Sequence, residues 1–370
     1  MDPFDAFAST RDTLWSLFAL GPVGLAAQFF VDPQTAVASA APETTSKADA
    51  AHRHSPAGMQ AGATASPVTG LTLQAGRPNW LSSRFQRGDD ALHFKLYVPS
   101  GYTGEPMPMI VMLHGAQQDP DDFAAGTEMN ATAEAQGYIV VYPEQSEGAN
   151  PLKCWNWFRP ADRARESGET AMIAALTREV MALCNVDEAR VYVAGMSAGG
   201  AMAVNLAVTH PDLYAAAAIH SGVAFGVADE PLSALCAMND GMGKGGLPAV
   251  SPDGIRARAV PLIVFHGDAD DTVHPRNSDQ IVSMSRLLSG ALDATEASPL
   301  TRVEIERHGH AYTHHVFHDR DGVASGEQWI VHGLGHAWSG GNAAGTHTDA
   351  RGPHATTEIV RFFSQYCLDR

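Results

Sequence analysis

Cysteine and positive charge are both scarce in this chain. Only four of its 370 residues are cysteine, too few for a disulfide-based scaffold, and no CxxC pair suggests a metal knuckle or redox motif. Lys and Arg number 24 against 41 Asp and Glu, which gives a formal charge of −17 at pH 7. Nucleic acid is therefore not an expected partner, because its phosphates are bound by clustered Lys and Arg. We expect free thiols, although Cys154 and Cys236 could pair in an oxidising compartment.

The first 76 residues differ in composition from the rest. Residues 32–76 are rich in Ala, Ser, Thr, Pro and Gly, which favours a flexible linker. The apolar segment in residues 1–31 has three interpretations: a signal peptide, a transmembrane helix, or a short amphipathic helix that docks on an apolar surface. An Ala-Ser-Ala pattern at residues 38–40 favours export, but aspartates precede the apolar run where basic residues are expected. We therefore expect an uncleaved N-terminal segment.

Apolar runs alternate with helical patterns over residues 77–370. Met109–Leu113 and Leu262–Phe265 are apolar on both faces, which is typical of parallel strands covered by helices on each side. We therefore predict one α/β domain with an open, mostly parallel twisted sheet and helices on both faces. The predicted strands are His93–Val98, Met109–Leu113, Tyr138–Tyr142, Arg190–Ala194, Ala215–His220, Pro261–Phe265, Thr301–Glu306 and Gln328–Val331. The predicted helices are Asp122–Gln136, Glu169–Leu183, Ala198–Thr209, Asn277–Leu288 and Thr356–Tyr366.

The most informative segment is Arg190–Ala203, which has the pattern of a strand, a Gly-x-Ser-x-Gly turn and an Ala-rich helix. In such a tight turn, Gly195 and Gly199 avoid collisions that side chains would cause. Ser197 then projects at the helix N-terminus, where free N–H groups favour developing negative charge. Because a serine hydroxyl needs a histidine to take its proton and a carboxylate to orient that histidine, Ser197 predicts a triad.

The other two triad members are expected in the order acid and then histidine along the chain. Three aspartates, Asp268, Asp270 and Asp271, lie in a turn that follows a predicted strand. Asp270 is favoured, with its two neighbours as alternatives. His332 is expected to continue a strand, so His336 on the following glycine-rich loop is the predicted base.

Acyl transfer also requires donors for the oxyanion. One is the backbone N–H of Ala198, directly after the proposed nucleophile. The second is expected from the loop His114–Gln118, which follows a predicted strand, and the N–H of Ala116 is the favoured donor.

Seven motifs occur in an order typical of one esterase family. They are Leu113–Gly115, Asp119–Phe123, Tyr142–Gln145, Cys154–Phe158, Ala194–Met202, His220–Gly222 and Gly335–Gly341. With these motifs the chain resembles the poly(3-hydroxybutyrate) depolymerase family over roughly residues 88–366. The resemblance implies an α/β-hydrolase fold and a triad of Ser197, Asp270 and His336. Many family members have Cys where this chain has Ala116, a change that leaves the backbone N–H in place.

The resemblance implies a serine esterase that hydrolyses short-chain hydroxyalkanoate polyesters or oligomers, without a cofactor or a metal. One alternative is a feruloyl or acetylxylan esterase, because relatives in the wider group cleave such esters. Another is a non-catalytic protein of polyester granules, with residues 1–31 as the anchor. Granule contact through this segment is a further expectation, and a cytoplasmic or granule-associated location is favoured over secretion.

Three tryptophans and a group of histidines each have two interpretations. Trp155, Trp157 and Trp338 lie beside catalytic loops in the sequence and are expected either to bind substrate or to pack the cleft wall. A set of histidines in a predicted hairpin of charged residues lacks a fixed ligand spacing, so a solvated surface is favoured over a metal site. These histidines are His308, His310, His314, His315 and His318.

Overall fold

A ten-stranded sheet runs through the computed structural model. The structure describes Val68 and residues 71–241, 259–289, 300–305, 309–319 and 322–369. The predicted N-terminal segment, all but a few residues of the predicted linker, and His308 lie outside the described residues. The strands are β1 (Asn79–Arg87), β2 (Asp90–Val98), β3 (Met107–Leu113), β4 (Ile139–Glu144), β5 (Val186–Met196), β6 (Ala216–His220), β7 (Leu262–Gly267), β8 (Leu300–Ile305), β9 (Ala311–His318) and β10 (Ala324–Val331).

The strand order is β1-β2-β4-β3-β5-β6-β7-β10-β9-β8. The six strands from β4 to β10 in this order are parallel, and antiparallel pairs extend the sheet on each side. The central strands are buried because both of their faces are apolar; all five residues of Met109–Leu113 have no exposed surface. The predicted mostly parallel α/β sheet is therefore confirmed.

The described residues form seven α-helices. They are α1 (Pro120–Thr127), α2 (Met129–Gln136), α3 (Gly168–Leu183), α4 (Ala198–Thr209), α5 (Pro231–Asp240), α6 (Arg276–Leu288) and α7 (Ala355–Phe363). Helix α4 contains many small residues and is buried along most of its length. Small side chains allow it to pack close to the sheet. Helix α7 buries one apolar face, where Phe363 stacks on Tyr192 of β5 at a ring-centroid distance of 4.6 Å. Within the described ranges, no helix is long and apolar enough to cross a bilayer.

Three local features differ from the sequence predictions. The predicted helix Asp122–Gln136 is two helices, because Glu128 between them adopts a left-handed conformation with φ of 54°. Strand β1 and helix α5 were not predicted; each buries only two of its residues. Helix α7 ends three residues earlier than predicted.

Candidate active site

Ser197 occupies a strained turn between β5 and α4. Its backbone has φ of 55° and ψ of −120°, a conformation that non-glycine residues rarely adopt. A side-chain carbon at Gly195 would lie 2.2 Å from the Gly199 carbonyl oxygen, and one at Gly199 would lie 2.0 Å from that of Leu113. The Ser197 N–H donates to the His220 carbonyl at 2.9 Å. The turn is therefore held by β6 and can form only with glycine on both sides of the serine.

The Ser197 side chain lies at the N-terminus of α4. The residue is partly exposed, whereas its neighbours Met196 and Ala198 are buried. The first N–H groups of a helix have no partner within the helix, and the helix dipole is positive at this end. The N–H of Ala198 is therefore placed to face an anion bound at Ser197.

The loop His114–Gln118 follows β3 and lies beside Ser197. A side-chain carbon at Gly115 would be 3.5 Å from Ser197 Cβ. The Gly115 N–H donates to Gln118 Oε1 at 2.9 Å, and the Gln117 N–H donates to the Leu152 carbonyl at 2.7 Å.

These bonds leave the N–H of Ala116 as the available donor of this turn. In the described part of the chain it donates to no acceptor. The structure thus places the two predicted oxyanion donors, Ala116 and Ala198, on two segments that meet at Ser197.

His336 and Asp270 form a direct hydrogen bond. The His336 Nδ1–H donates to Asp270 Oδ2 at 2.8 Å, and the other carboxylate oxygen accepts from the N–H groups of Thr272 at 3.0 Å and Val273 at 2.8 Å. Burial alone would raise the pKa of Asp270, but the charge and hydrogen bond of His336, nearby His266 and the Val273 N–H lower that pKa to about 2. Asp270 is thus an ionised acceptor that fixes the proton of His336 on Nδ1.

The two other aspartates of this turn do not contact His336. Asp268 is hydrogen-bonded to His332 at 2.8 Å, and Asp271 is exposed. The structure therefore brings Asp270, and neither alternative, to the predicted base. Although both side chains are described, no hydrogen bond joins Ser197 Oγ to His336, a contact that often closes only when substrate is bound.

His220 links the Ser197 turn to the His336 loop. Its carbonyl accepts from Ser197, and its ring Nε2 accepts from the Ser339 N–H at 3.0 Å. The ring stacks on Phe265 and on Trp338, at centroid distances of 5.8 and 5.1 Å. Burial, together with the charges of nearby histidines, lowers the pKa of His220 to about 3, so the ring stays neutral. The His-Ser-Gly motif was the sequence signal for this residue, but its role was not predicted.

Comparisons with known proteins identify the family of this chain. A family model described as esterase PHB depolymerase matches residues 92–308, which is more than half of the chain. The chain belongs to this family. The matched range includes Ser197 and Asp270 and ends before His336.

Curated relatives of this family member include esterases of different named activities. The chain is 30% identical over 274 residues to poly(3-hydroxyalkanoate) depolymerase C of Paucimonas lemoignei, covering 71% of this chain and 64% of that protein. It is 29% identical over 206 residues to feruloyl esterase B of Thermothelomyces thermophilus, covering 52% of this chain and 69% of that protein. The chain therefore spans about two thirds of the length of each.

A solved structure of an acetyl xylan esterase from Aspergillus awamori superimposes with a TM-score of 0.52 at 21% identity. The superposition covers 66% of this chain and 89% of that one. This likeness supports the shared fold, and the predicted α/β-hydrolase fold is confirmed for this PHB depolymerase family member.

The three predicted substrate-binding tryptophans are buried. Trp155, Trp157 and Trp338 are 0%, 6% and 1% exposed, so their rings do not line an open cleft. The Trp155 indole N–H donates to the His114 carbonyl at 3.1 Å, which supports the loop that carries Ala116. Trp338 packs against His220 and donates to a buried threonine hydroxyl. Of the two interpretations, burial favours the one in which these rings pack the cleft wall, and substrate contact stays a prediction.

Thr346 and His347, which follow His336 in the chain, connect helix α1 with the His336 loop. Asp122 of α1 accepts from the Thr346 N–H at 2.8 Å and from the Gln118 side-chain amide at 2.8 Å. Next to Thr346, the His347 carbonyl accepts from the Trp338 N–H at 2.7 Å. The His347 ring centroid lies 6.4 Å from that of His336, and His347 is exposed with φ of 52°. Sequence patterns gave no signal for this contact.

The histidines of the predicted hairpin are not all on a solvated surface. The side chains of His310 and His314 are 12% and 15% exposed, and they bind Asp349 and Glu327 at 3.1 and 2.9 Å. The prediction was therefore wrong for these two. His314 lies in β9, an interior strand paired with β8 and β10, and His310 precedes β9 and is held by the Arg351 carbonyl and Asp349. Among the described residues, no group of three side chains could hold a metal ion. All four cysteines are unpaired in this structure.

Proposed function

We propose that the chain is a serine ester hydrolase in which Ser197, His336 and Asp270 act as nucleophile, base and orienting acid. The observation that carries the proposal is the buried hydrogen bond from His336 Nδ1 to Asp270, at the same sheet edge as the strained Ser197 turn. A strained nucleophile turn, an oriented imidazole and two backbone donors are the parts that acyl transfer requires.

The reaction proceeds in two steps. Ser197 Oγ attacks the ester carbonyl carbon while His336 Nε2 takes its proton, and the N–H groups of Ala116 and Ala198 stabilise the oxyanion. The tetrahedral intermediate collapses to an acyl-enzyme, and His336 returns the proton to the leaving alcohol. Water then attacks the acyl-enzyme with His336 again as base, releasing the acid and free Ser197.

Asp270 has an electrostatic role in both steps. Its low pKa keeps the carboxylate ionised over the working range of an esterase, so it stabilises the positive imidazolium that His336 becomes. The two backbone donors on its other oxygen hold the carboxylate in place while Oδ2 accepts from His336.

Short-chain hydroxyalkanoate polyesters or oligomers are the proposed substrates. Family membership and the similarity to poly(3-hydroxyalkanoate) depolymerase C support this choice. The similarity to feruloyl esterase B favours a second candidate, a carbohydrate esterase with the same catalytic residues. Turnover of 3-hydroxybutyrate oligomers compared with feruloyl and acetyl sugar esters separates the two. Granule contact through residues 1–31 remains a prediction.

The test of the mechanism is Ser197→Ala, with Ser146→Ala as a matched control on an exposed serine. We expect hydrolysis of p-nitrophenyl butyrate to fall by at least about 10³-fold in Ser197→Ala, with unchanged circular dichroism and an unchanged rate in the control. A serine-reactive phosphonate should label the wild type and not Ser197→Ala. Turnover retained in Ser197→Ala would contradict the proposal, and inertness of the wild type to ester and phosphonate would favour the non-catalytic granule protein.

A further inference from the structure

The geometry points to Asp268 as a positioning residue that aligns the Asp270 turn with the His336 loop. This inference rests on the proposed function, because Asp268 would act through the proposed catalytic residues Asp270 and His336. Asp268 itself is not assigned a contact with substrate. Asp268 precedes Asp270 by two residues at the end of β7, and the segment it binds lies at the end of β10, just before His336.

The Asp268 carboxylate contacts this second segment with both oxygens. Oδ2 accepts from His332 Nδ1 at 2.8 Å, and Oδ1 accepts from the Gly333 N–H at 2.7 Å. The other ring nitrogen of His332 lies 2.9 Å from Thr313 Oγ1 of β9. The Asp268 side chain thus fixes the start of the loop that carries His336. Thr313 of β9 in turn holds the His332 ring that Asp268 binds.

The backbones of the two segments are also in direct contact. The N–H of Asp268 donates to the Val331 carbonyl, and the N–H of Ala269 donates to the Leu334 carbonyl, each at 3.1 Å. A side-chain carbon at Gly267 would lie 2.0 Å from the same Leu334 oxygen. Because the segments approach so closely, a rotation of either one is transmitted to the hydrogen bond between Asp270 and His336.

The exposure of the pair indicates a role in positioning more than in stability. The side chains of Asp268 and His332 are 42% and 40% exposed, and exposed ion pairs contribute little to folding. Catalytic groups, in contrast, must be held within about 0.5 Å of the productive geometry. Loss of the Asp268 contacts should therefore affect the rate far more than the stability.

The test compares Asp268→Ala and Asp268→Asn with Asp271→Ala, a control on an exposed carboxylate in the same turn. For Asp268→Ala we expect kcat for p-nitrophenyl butyrate to fall by about 10- to 100-fold, with KM within about twofold of the wild type. Asp268→Asn should recover most of the rate, because its amide oxygen can accept from the Gly333 N–H and its NH₂ group can donate to His332 Nδ1. Asp271→Ala should match the wild type.

Thermal unfolding and the rate of phosphonate labelling are measured on the same variants. The inference predicts a Tm within a few degrees of the wild type for Asp268→Ala, and a labelling rate reduced by the same factor as kcat. Wild-type kcat in Asp268→Ala overturns it, as does a loss that Asp268→Asn does not recover. If Asp268→Ala fails to fold, the role is structural, and the inference is also overturned. Failure of the proposed function appears separately, as turnover retained in Ser197→Ala.

Discussion

Replacing Asp270 by Asn tests how the carboxylate controls the proton on His336. In the wild type, one carboxylate oxygen accepts from the Thr272 and Val273 N–H groups, and the other accepts from His336 Nδ1. In Asp270→Asn, the backbone donors retain the single amide oxygen, so the NH₂ group faces His336. The His336 ring can accept from this NH₂ group only at an unprotonated Nδ1, so the ring proton moves to Nε2. Nε2 is the atom that must accept the proton of Ser197, and it is then blocked.

The expected loss follows from this change of tautomer. A carboxylate-to-amide change that leaves geometry intact in a serine triad costs about 10⁴-fold in kcat, which corresponds to about 5 kcal/mol in the barrier. Folding should suffer less. The interactions that lower the pKa of Asp270 from 3.8 to about 2 correspond to about 2 kcal/mol of stability at neutral pH. The rate and the stability should therefore change by clearly different amounts.

The assay is steady-state hydrolysis of p-nitrophenyl butyrate, with urea unfolding of the same samples. Asp271→Asn is the matched control, because Asp271 is exposed in the same turn. It removes one charge from that turn and should keep wild-type kcat. Asp270→Asn with more than a tenth of wild-type kcat would refute the role of Asp270, and an equal loss in Asp271→Asn would assign the effect to the charge of the turn.

Three further predictions test the Ser197 turn, the buried Asp270 and the role of Trp155. Gly195→Ala should destabilise the fold by about 3 kcal/mol or more, since its methyl carbon would lie 2.2 Å from a backbone oxygen, whereas Gly335→Ala, with open space around it, should not. In urea unfolding, the extra free energy of unfolding of the wild type over Asp270→Asn should be complete above about pH 4 and disappear towards pH 2. The reason is that folding lowers the pKa of Asp270, so its stabilising charge is lost in this range. A difference that does not depend on pH would contradict this prediction. Trp155→Phe should lower kcat several-fold at constant KM, since it removes the donor to the His114 carbonyl. A selective rise in KM would support substrate contact by Trp155 instead.

Local patterns predicted most of the fold and the Ser197 turn. Apolar runs that are buried on both faces identify central strands, and glycines at fixed offsets around a serine identify a turn with no room for side chains. Glu128 shows the limit of such patterns. Nothing in its residue type signals the left-handed conformation that splits one predicted helix into two. Its carboxylate accepts from the side chain of Asn342, a distant residue that no local pattern connects to it.

Contacts between distant segments account for what the sequence did not predict. The tryptophans lie beside catalytic motifs in the sequence, but proximity along a chain does not determine which way a ring points. The Trp338 ring points to the interior, where it packs against the rings of His220 and Phe123. The pairing of Asp268 with His332 joins residues 64 positions apart, and only the adjacency of β7 and β10 brings them together.

Three buried histidines at the carboxyl ends of parallel strands hold the loops of the site. His114 follows β3 and accepts from the Gln145 N–H, His220 ends β6 and accepts from the Ser339 N–H, and His266 in β7 contacts the Val273 carbonyl at 2.7 Å. Burial lowers the pKa of each, to about 4 for His114 and about 3 for His220. A neutral imidazole can join two backbone segments without burying a charge. His336 donates from Nδ1 to the ionised Asp270 at 2.8 Å, whereas His266 Nε2 lies 3.5 Å from the same carboxylate. His336 therefore makes the closer contact with the charge that stabilises an imidazolium during the reaction.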